Sequence, residues 1–283
     1  MLDAIAPLLE RQFGKIDLER AGIELHCPAG CTGQLPAGLL GLLLGEILGN
    51  RYKYTLDRPQ YPDEIDVEAA RNEMEEVDRA HPGPEGGGRR AYADAVMAEC
   101  IPQGADLLDY GCGGPAHKSY YAGCRSIVGV DVNPHALMRM RAFYPDRTNH
   151  RLIWAPLGIT EIEPESAGCA LASAVMGYLP PSVGNTAAYG FAEWLGGKGR
   201  MLERSDHPGS FHYKFTLGEM RTLVASRGLR PLKSGRYVVK LPPSLRRRTN
   251  ALYTRRAIQA ADRLVNMIPG FATWNLVVAE KPR

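Results

Sequence analysis

The spacing of hydrophobic and polar positions changes character near residue 88. Before it the apolar positions are irregular. Gly38 to Leu48 reads as a short apolar helix and Val67 to Arg79 as a charged, solvent-facing one, with the tyrosine- and proline-rich loop RYKYTLDRPQYPDE between them. HPGPEGGG, His81 to Gly88, concentrates helix breakers and marks a boundary or hinge. From Arg89 onward the pattern is regular. Strands are predicted at ADLLDYG, RSIVGVDV, HRLIWAP, CALASAV and GRMLERS, and helices at RRAYADAVMAEC, PHALMRMRAFY, TAAYGFAEWL and LGEMRTLVASRG, with a glycine-rich turn and a further helix after the first strand. Strands alternating with helices imply βαβ units and a mostly parallel sheet. Thr216 and Glu219 form a capping box for the last of these helices, and Gly228 supplies its stop. Two late strands, GRYVVKL and TWNLVVAEK, flank a basic helical stretch. The pattern therefore divides the chain into a mainly helical N-terminal extension, 1–88, and an α/β domain, 89–283, with a basic insertion near 242–266.

The end of the first strand carries the strongest chemical signal. In LLDYGCGGPAH, residues 107–117, Gly111 and Gly113 lie where missing side chains let a ligand approach the backbone. In IVGVDVNP, residues 127–134, Asp131 ends the neighbouring strand, where a carboxylate can accept both hydroxyls of a ribose. Gly111, Gly113 and Ala116 also satisfy the GxGxxG/A spacing of dinucleotide-binding domains, a weak motif by itself. Asp109 separates the two readings. A pyrophosphate over this turn would be repelled by a nearby carboxylate, whereas a cationic, phosphate-free nucleoside would be attracted.

DYGCGG followed by VGVDVNP resembles motifs I and II of the class I S-adenosylmethionine-dependent methyltransferases, whose usual forms are hDxGCGxG and hhGhDxS/N. The resemblance runs from about Arg89 to the C-terminus. It implies a Rossmann-like, mostly parallel seven-stranded sheet with an antiparallel C-terminal strand and helices on both faces, the two late strands supplying the antiparallel pair. It also implies S-adenosylmethionine as cofactor. Asp109, Gly111 and Gly113 would serve its methionine part, Asp131 its ribose, and Val132 and Leu157 would pack beside its adenine. Three positions depart from the pattern. Pro115 replaces the third glycine, giving the GCGxxP variant; Trp154, Ala155 and Pro156 stand where an acid often holds the adenine amino group; and Gly168 occupies the usual aspartate of the fourth strand.

Methyl transfer asks for alignment of the acceptor and removal of its proton. Acceptor-side residues are expected after the fourth and fifth strands, where Tyr178, His207 and Tyr213 lie. HPGSFHYKFTLGEM resembles the family's loop of the form HxxxYxxFT. His207 reads either as a general base, since neutral imidazole works near pH 7, or as a residue shaping the loop or binding the acceptor. Tyr52, Tyr54 and Tyr61 read either as an aromatic lid or as packing between lead-in and core.

Composition narrows the rest. With 283 residues, 45% hydrophobic and 23% charged, the chain is an ordinary globular enzyme rather than a disordered one, and a net charge of +3 does not imply nucleic acid. No secretory signal opens the chain, and the greasiest run, Leu39 to Leu48, is broken by Gly41, Gly45 and Glu46, short of the roughly 20 residues a membrane span needs. A cytoplasmic protein with reduced thiols is expected. HCPAGC, with Cys27 and Cys31, invites zinc, but the second pair that a closed four-ligand site needs is missing, so no metal is expected. LRRRTNALYTRR, Leu245 to Arg256, reads as a solvated helix face, a contact for phosphate on an acceptor, or an RNA contact; no RNA-binding module accompanies it, which disfavours RNA. The expected acceptor is a small molecule, a glycan or a lipid-linked intermediate of a biosynthetic pathway. An NAD(P)-dependent oxidoreductase, or a cofactor-binding protein without methyl transfer, stands as the alternative.

Overall fold

The computed structural model describes residues 2–26, 60–80, 92, 95–115, 118–156, 162, 166–172, 216–226, 229–239, 256–265, 267–268 and 272–280. The chain divides into two compact units. One comprises Met1–Ile65, Gln103–Pro115 and Gly123–Lys214; the other comprises Asp66–Pro102, Ala116–Ala122 and Phe215–Arg283.

The first unit is built on a parallel sheet. Its strands are β1 (Glu24–Leu25), β2 (Asp106–Tyr110), β3 (Ser126–Asp131), β4 (His150–Trp154) and β5 (Cys169–Ala172), hydrogen-bonded in the order β1-β4-β3-β2-β5. From β4 to β5 this is the 3-2-1-4 order of a Rossmann-like sheet, with its switch point between β2 and β5. The residues explain the strands. Leu108, Tyr110, Val130, Ile153 and Ala155 make one buried apolar cluster, as the two-residue alternation of neighbouring strands requires. After β3 comes α4 (Pro134–Phe143), started by Asn133, whose side chain accepts from the His135 and Ala136 backbone N–H groups, with Pro134 at the first helical position.

The segment ahead of residue 26 is part of this sheet. α1 (Leu2–Phe13) and α2 (Leu18–Ala21) precede β1, which pairs parallel with β4, Glu24 opposite Ile153 and Leu25 opposite Trp154. Arg141, 4% exposed, reaches from α4 to donate to the Gly22 carbonyl at 2.9 Å. On the surface, Arg151 binds Glu24 through two hydrogen bonds of 2.9 and 2.6 Å. The sequence pattern gives no sign of this edge strand. Two residues are too few to show alternation, and their register comes from partners far along the chain.

The second unit contains α3 (Val67–Ala80), helical backbone at Tyr92 and 95–98, α5 (Leu217–Ser226), β6 (Arg230–Val239), α6 (Arg256–Val265) and β7 (Ala272–Glu280). β6 and β7 pair antiparallel as a two-stranded sheet, with a register shift between Pro231 and Lys233. Tyr92, Val96 and Tyr237 form the buried centre, with Ile258 of α6 and Leu276 of β7 packed on it. The capping box of α5 is present in both directions: Thr216 N–H to Glu219 Oε2 at 2.7 Å, and Glu219 N–H to Thr216 Oγ1 at 3.1 Å.

Among the described residues, then, the parallel strands form a five-stranded sheet and the antiparallel pair a separate one. The strand expected at 199–205 and the helices expected at 38–48 and 186–195 lie outside the described residues. After the glycine-rich turn, the expected helix is replaced among the described residues by a 3-10 turn, Ser119–Gly123.

Candidate functional site

The turn after β2 depends on two glycines in the left-handed region, Gly111 with φ 73° and Gly113 with φ 61°, where a Cβ would crowd the following carbonyl. The turn is pinned to β3: the Gly111 and Cys112 N–H groups both donate to the Val130 carbonyl, at 2.7 and 3.0 Å. Cys112 is buried and packs where β3 has a glycine. A Cβ on Gly129 would lie 3.1 Å from its Sγ and 2.9 Å from Leu152 Cδ2. Gly129 is therefore a packing requirement of the turn, a role that its place in an apolar strand did not suggest.

Asp131, at the end of β3, joins the two loops at this edge. Its Oδ2 accepts from the Gly113 N–H at 2.7 Å, and its Oδ1 from the Asn133 N–H at 2.8 Å. A carboxylate has about four acceptor sites, so holding the backbone is compatible with accepting from a ligand's hydroxyls. Among the described residues, a Cβ built on Gly113 or Gly114 meets nothing within 4 Å. Glycine at 113 is thus a matter of backbone conformation, and no described residue fills the space above it.

Asp109 lies beneath. It is 0% exposed and stands on β2 opposite Gly129 and Leu171. Burial pushes the thiol of Cys124 up, and Cys169 and the negative charge of Asp109 push it in the same direction. Asp109 is sealed from solvent within the sheet, so its side chain does not line the turn's surface.

Trp154 closes the back of the site. Its indole N–H donates to the Val132 carbonyl at 3.0 Å, and the Ala155 N–H donates to the Asp131 carbonyl at 2.9 Å, so the end of β4 fixes the loop that carries Asp131. Phe13 of α1 meets Trp154 edge-on at 5.7 Å and His135 at 6.0 Å. Burial pushes His135 below the usual imidazole range, partly offset by a hydrogen bond to the Phe13 backbone. Where an acid was absent from the sequence, the structure places a buried indole that supports the loop instead.

Asp109, Gly111, Gly113, Asp131 and Val132 are thus brought together at the carboxyl ends of β2 and β3. Leu157, Tyr178, His207 and Tyr213 lie outside the described residues, as do Tyr52, Tyr54, Cys27 and Cys31. Tyr61 is described: its hydroxyl accepts from the Asp17 N–H at 2.8 Å and its ring lies 4.0 Å from the Arg20 guanidinium carbon, so it packs against the start of α2. Among the described residues no group of His, Cys, Asp and Glu is arranged to hold a metal ion, and no helix is long and apolar enough to cross a membrane.

No protein-family model and no curated protein matches the chain. Solved structures do. An S-adenosylmethionine-dependent methyltransferase from Mesorhizobium loti is 18% identical with a TM-score of 0.44, over 70% of this chain and 99% of that one. The 1,6-didemethyltoxoflavin-N1-methyltransferase of Burkholderia thailandensis, solved with 1,6-didemethyltoxoflavin and S-adenosylhomocysteine bound, is 19% identical with a TM-score of 0.41, over 64% of this chain and 85% of that one. An O-methyltransferase family 2 protein from Planctomyces limnophilus, in complex with apigenin, is 15% identical with a TM-score of 0.38, over 89% of this chain and 68% of that one. At these identities and scores the likeness adds no weight to what the site itself carries.

Proposed function

We propose that this protein is a class I S-adenosylmethionine-dependent methyltransferase. It transfers a methyl group to an oxygen or nitrogen of a small-molecule, glycan or lipid-linked acceptor in a cytoplasmic biosynthetic pathway. The observation that carries the reading is the Asp131 carboxylate at the tip of β3, tied to the Gly113 N–H of a turn whose glycines no described side chain covers. That arrangement suits a nucleoside whose ribose lies across the strand ends. Buried Asp109 places negative potential under the same turn, which favours a cationic ligand over a pyrophosphate.

In this reading Asp131 accepts from the ribose hydroxyls, Gly111 and Gly113 let the methionine part approach the backbone, and Val132 and Leu157 flank the adenine. When bound, S-adenosylmethionine supplies an electrophilic methyl group on sulfur. The chain's own contribution is alignment, exclusion of water, and a place for the acceptor's proton, for which His207 is the proposed base. The methyltransferase domain is taken to include residues 2–26 as well as 89–283, because β1 completes the edge of its sheet.

Isothermal titration with S-adenosylhomocysteine and with NADH tests the assignment. Binding of the first and not the second is expected, with Asp131→Ala weakening it by roughly 1–3 kcal/mol and His207→Ala leaving it unchanged while slowing turnover. NADH binding without any response to the homocysteine nucleoside would establish the oxidoreductase alternative in its place.

A further inference from the structure

The outer face of α6 and the residues after it present an apolar surface to solvent. Four large hydrophobic side chains stand exposed among the described residues, and three of them fall within five positions: Leu264 at 68%, Met267 at 75% and Ile268 at 53%. Single exposed aliphatic residues are ordinary, but three together need an explanation. Helix formation does not provide it. α6 already buries its other face, with Ile258 on the Tyr92, Val96 and Tyr237 cluster and Asp262 2% exposed.

Charge accompanies this surface. At about 100° per residue, Arg256 and Arg263 fall together on one flank of Leu264. Both are exposed, Arg263 reaching Glu99 at 3.4 Å. In the sequence, Arg246, Arg247, Arg248, Arg255, Arg256 and Arg263 face a single acid between 245 and 268, Asp262, which is buried. Exposed aliphatic side chains beside the exposed Arg256, in a stretch whose sequence is strongly basic, match the interface of an anionic bilayer, where the former enter the acyl boundary and the latter meets phosphate headgroups. Two other occupants fit less well. An isologous contact with a second copy would set this basic segment against itself. Single-stranded nucleic acid is gripped by aromatic faces that Leu264, Met267 and Ile268 lack.

We infer that Leu264, Met267 and Ile268, with Arg256, form a docking surface for an anionic phospholipid membrane. The protein thereby works at the membrane surface without crossing it. Nothing in this surface depends on the nucleoside site.

Co-sedimentation of the full chain with vesicles tests it, using pure phosphatidylcholine and phosphatidylcholine with about one-third phosphatidylglycerol. Partition onto the anionic vesicles should exceed that onto neutral ones by about tenfold or more, and should fall steeply at high salt. Met267→Glu combined with Ile268→Glu should lower it by about tenfold, and Arg256→Ser by about fivefold, with thermal midpoints unchanged because these side chains are exposed. Should the double variant melt early, Met267→Ser alone carries the test, with a smaller loss expected. Failure of the parent chain to partition onto anionic vesicles at low salt overturns the inference, as does equal partition onto neutral ones or full binding by a folded variant. A dimer dissolved by the double substitution, without vesicle binding, would give the face to a second copy and overturn it as well.

Discussion

β2 and β3 carry one key carboxylate at each end of the sheet, and the two are held in different ways. At the amino end, Asp106 is gripped by side chains. Arg125 donates to both of its oxygens, one bond at 2.8 Å, and Ser126 Oγ donates at 2.6 Å. At the carboxyl end, Asp131 accepts from the backbone N–H groups of Gly113 and Asn133. The first arrangement neutralises a charge to fasten two strands. The second orients a carboxylate with backbone amides, which carry no net charge to cancel its own. One carboxylate is a clamp, and the other a preorganised acceptor.

The largest effect on this contrast should come from removing the support of the acceptor end. Trp154→Ala should lower unfolding free energy by about 3–5 kcal/mol in urea titrations, because a buried indole is lost together with its hydrogen bond to Val132. Trp154→Phe should keep most of the stability. If both variants unfold like the parent, the loop of Asp131 is not held from β4.

The two carboxylates can next be exchanged for amides and compared directly. Asp131→Asn should reduce S-adenosylhomocysteine affinity by about tenfold, whereas Asp106→Asn should leave it within about twofold. Equal losses would mean that both ends merely maintain the fold.

The smallest effect concerns acid. Arg125 and Ser126 push Asp106 down to about 2 from its ordinary 3.8. A carboxyl depressed in the folded state adds stability above its unfolded value and loses it as pH falls through its folded one. The contribution of Asp106 is therefore complete above about pH 4 and disappears towards pH 2, and its exposure to solvent keeps it modest. Urea midpoints from pH 5 to 2 should fall less steeply for Asp106→Asn than for the parent; parallel curves would remove the clamp from the account.

The sheet and the acceptor end were legible because local rules wrote them. The apolar runs of β2, β3 and β4, the glycines of the turn and the acid ending β3 follow one another within about fifty residues, and Asn133 with Pro134 announces α4. What the chain hides is nonlocal. Arg141 lies in the helix PHALMRMRAFY, where no local signal marks it, yet it is buried against the Gly22 carbonyl. Trp154 reads as a departure from a motif, and only the fold shows its indole meeting Val132, 22 positions away. Cys112 looks like filler between glycines until Gly129 is seen to make room for it.

The pairing of Glu24 with Ile153 also sets an order of events during synthesis. The ribosome finishes the first of these partners long before the second exists. At about 5–20 residues per second, roughly 6–26 s separate their appearance. Over that interval the leading segment has no edge to join, and the sheet's outer border closes only after β4 has left the exit tunnel.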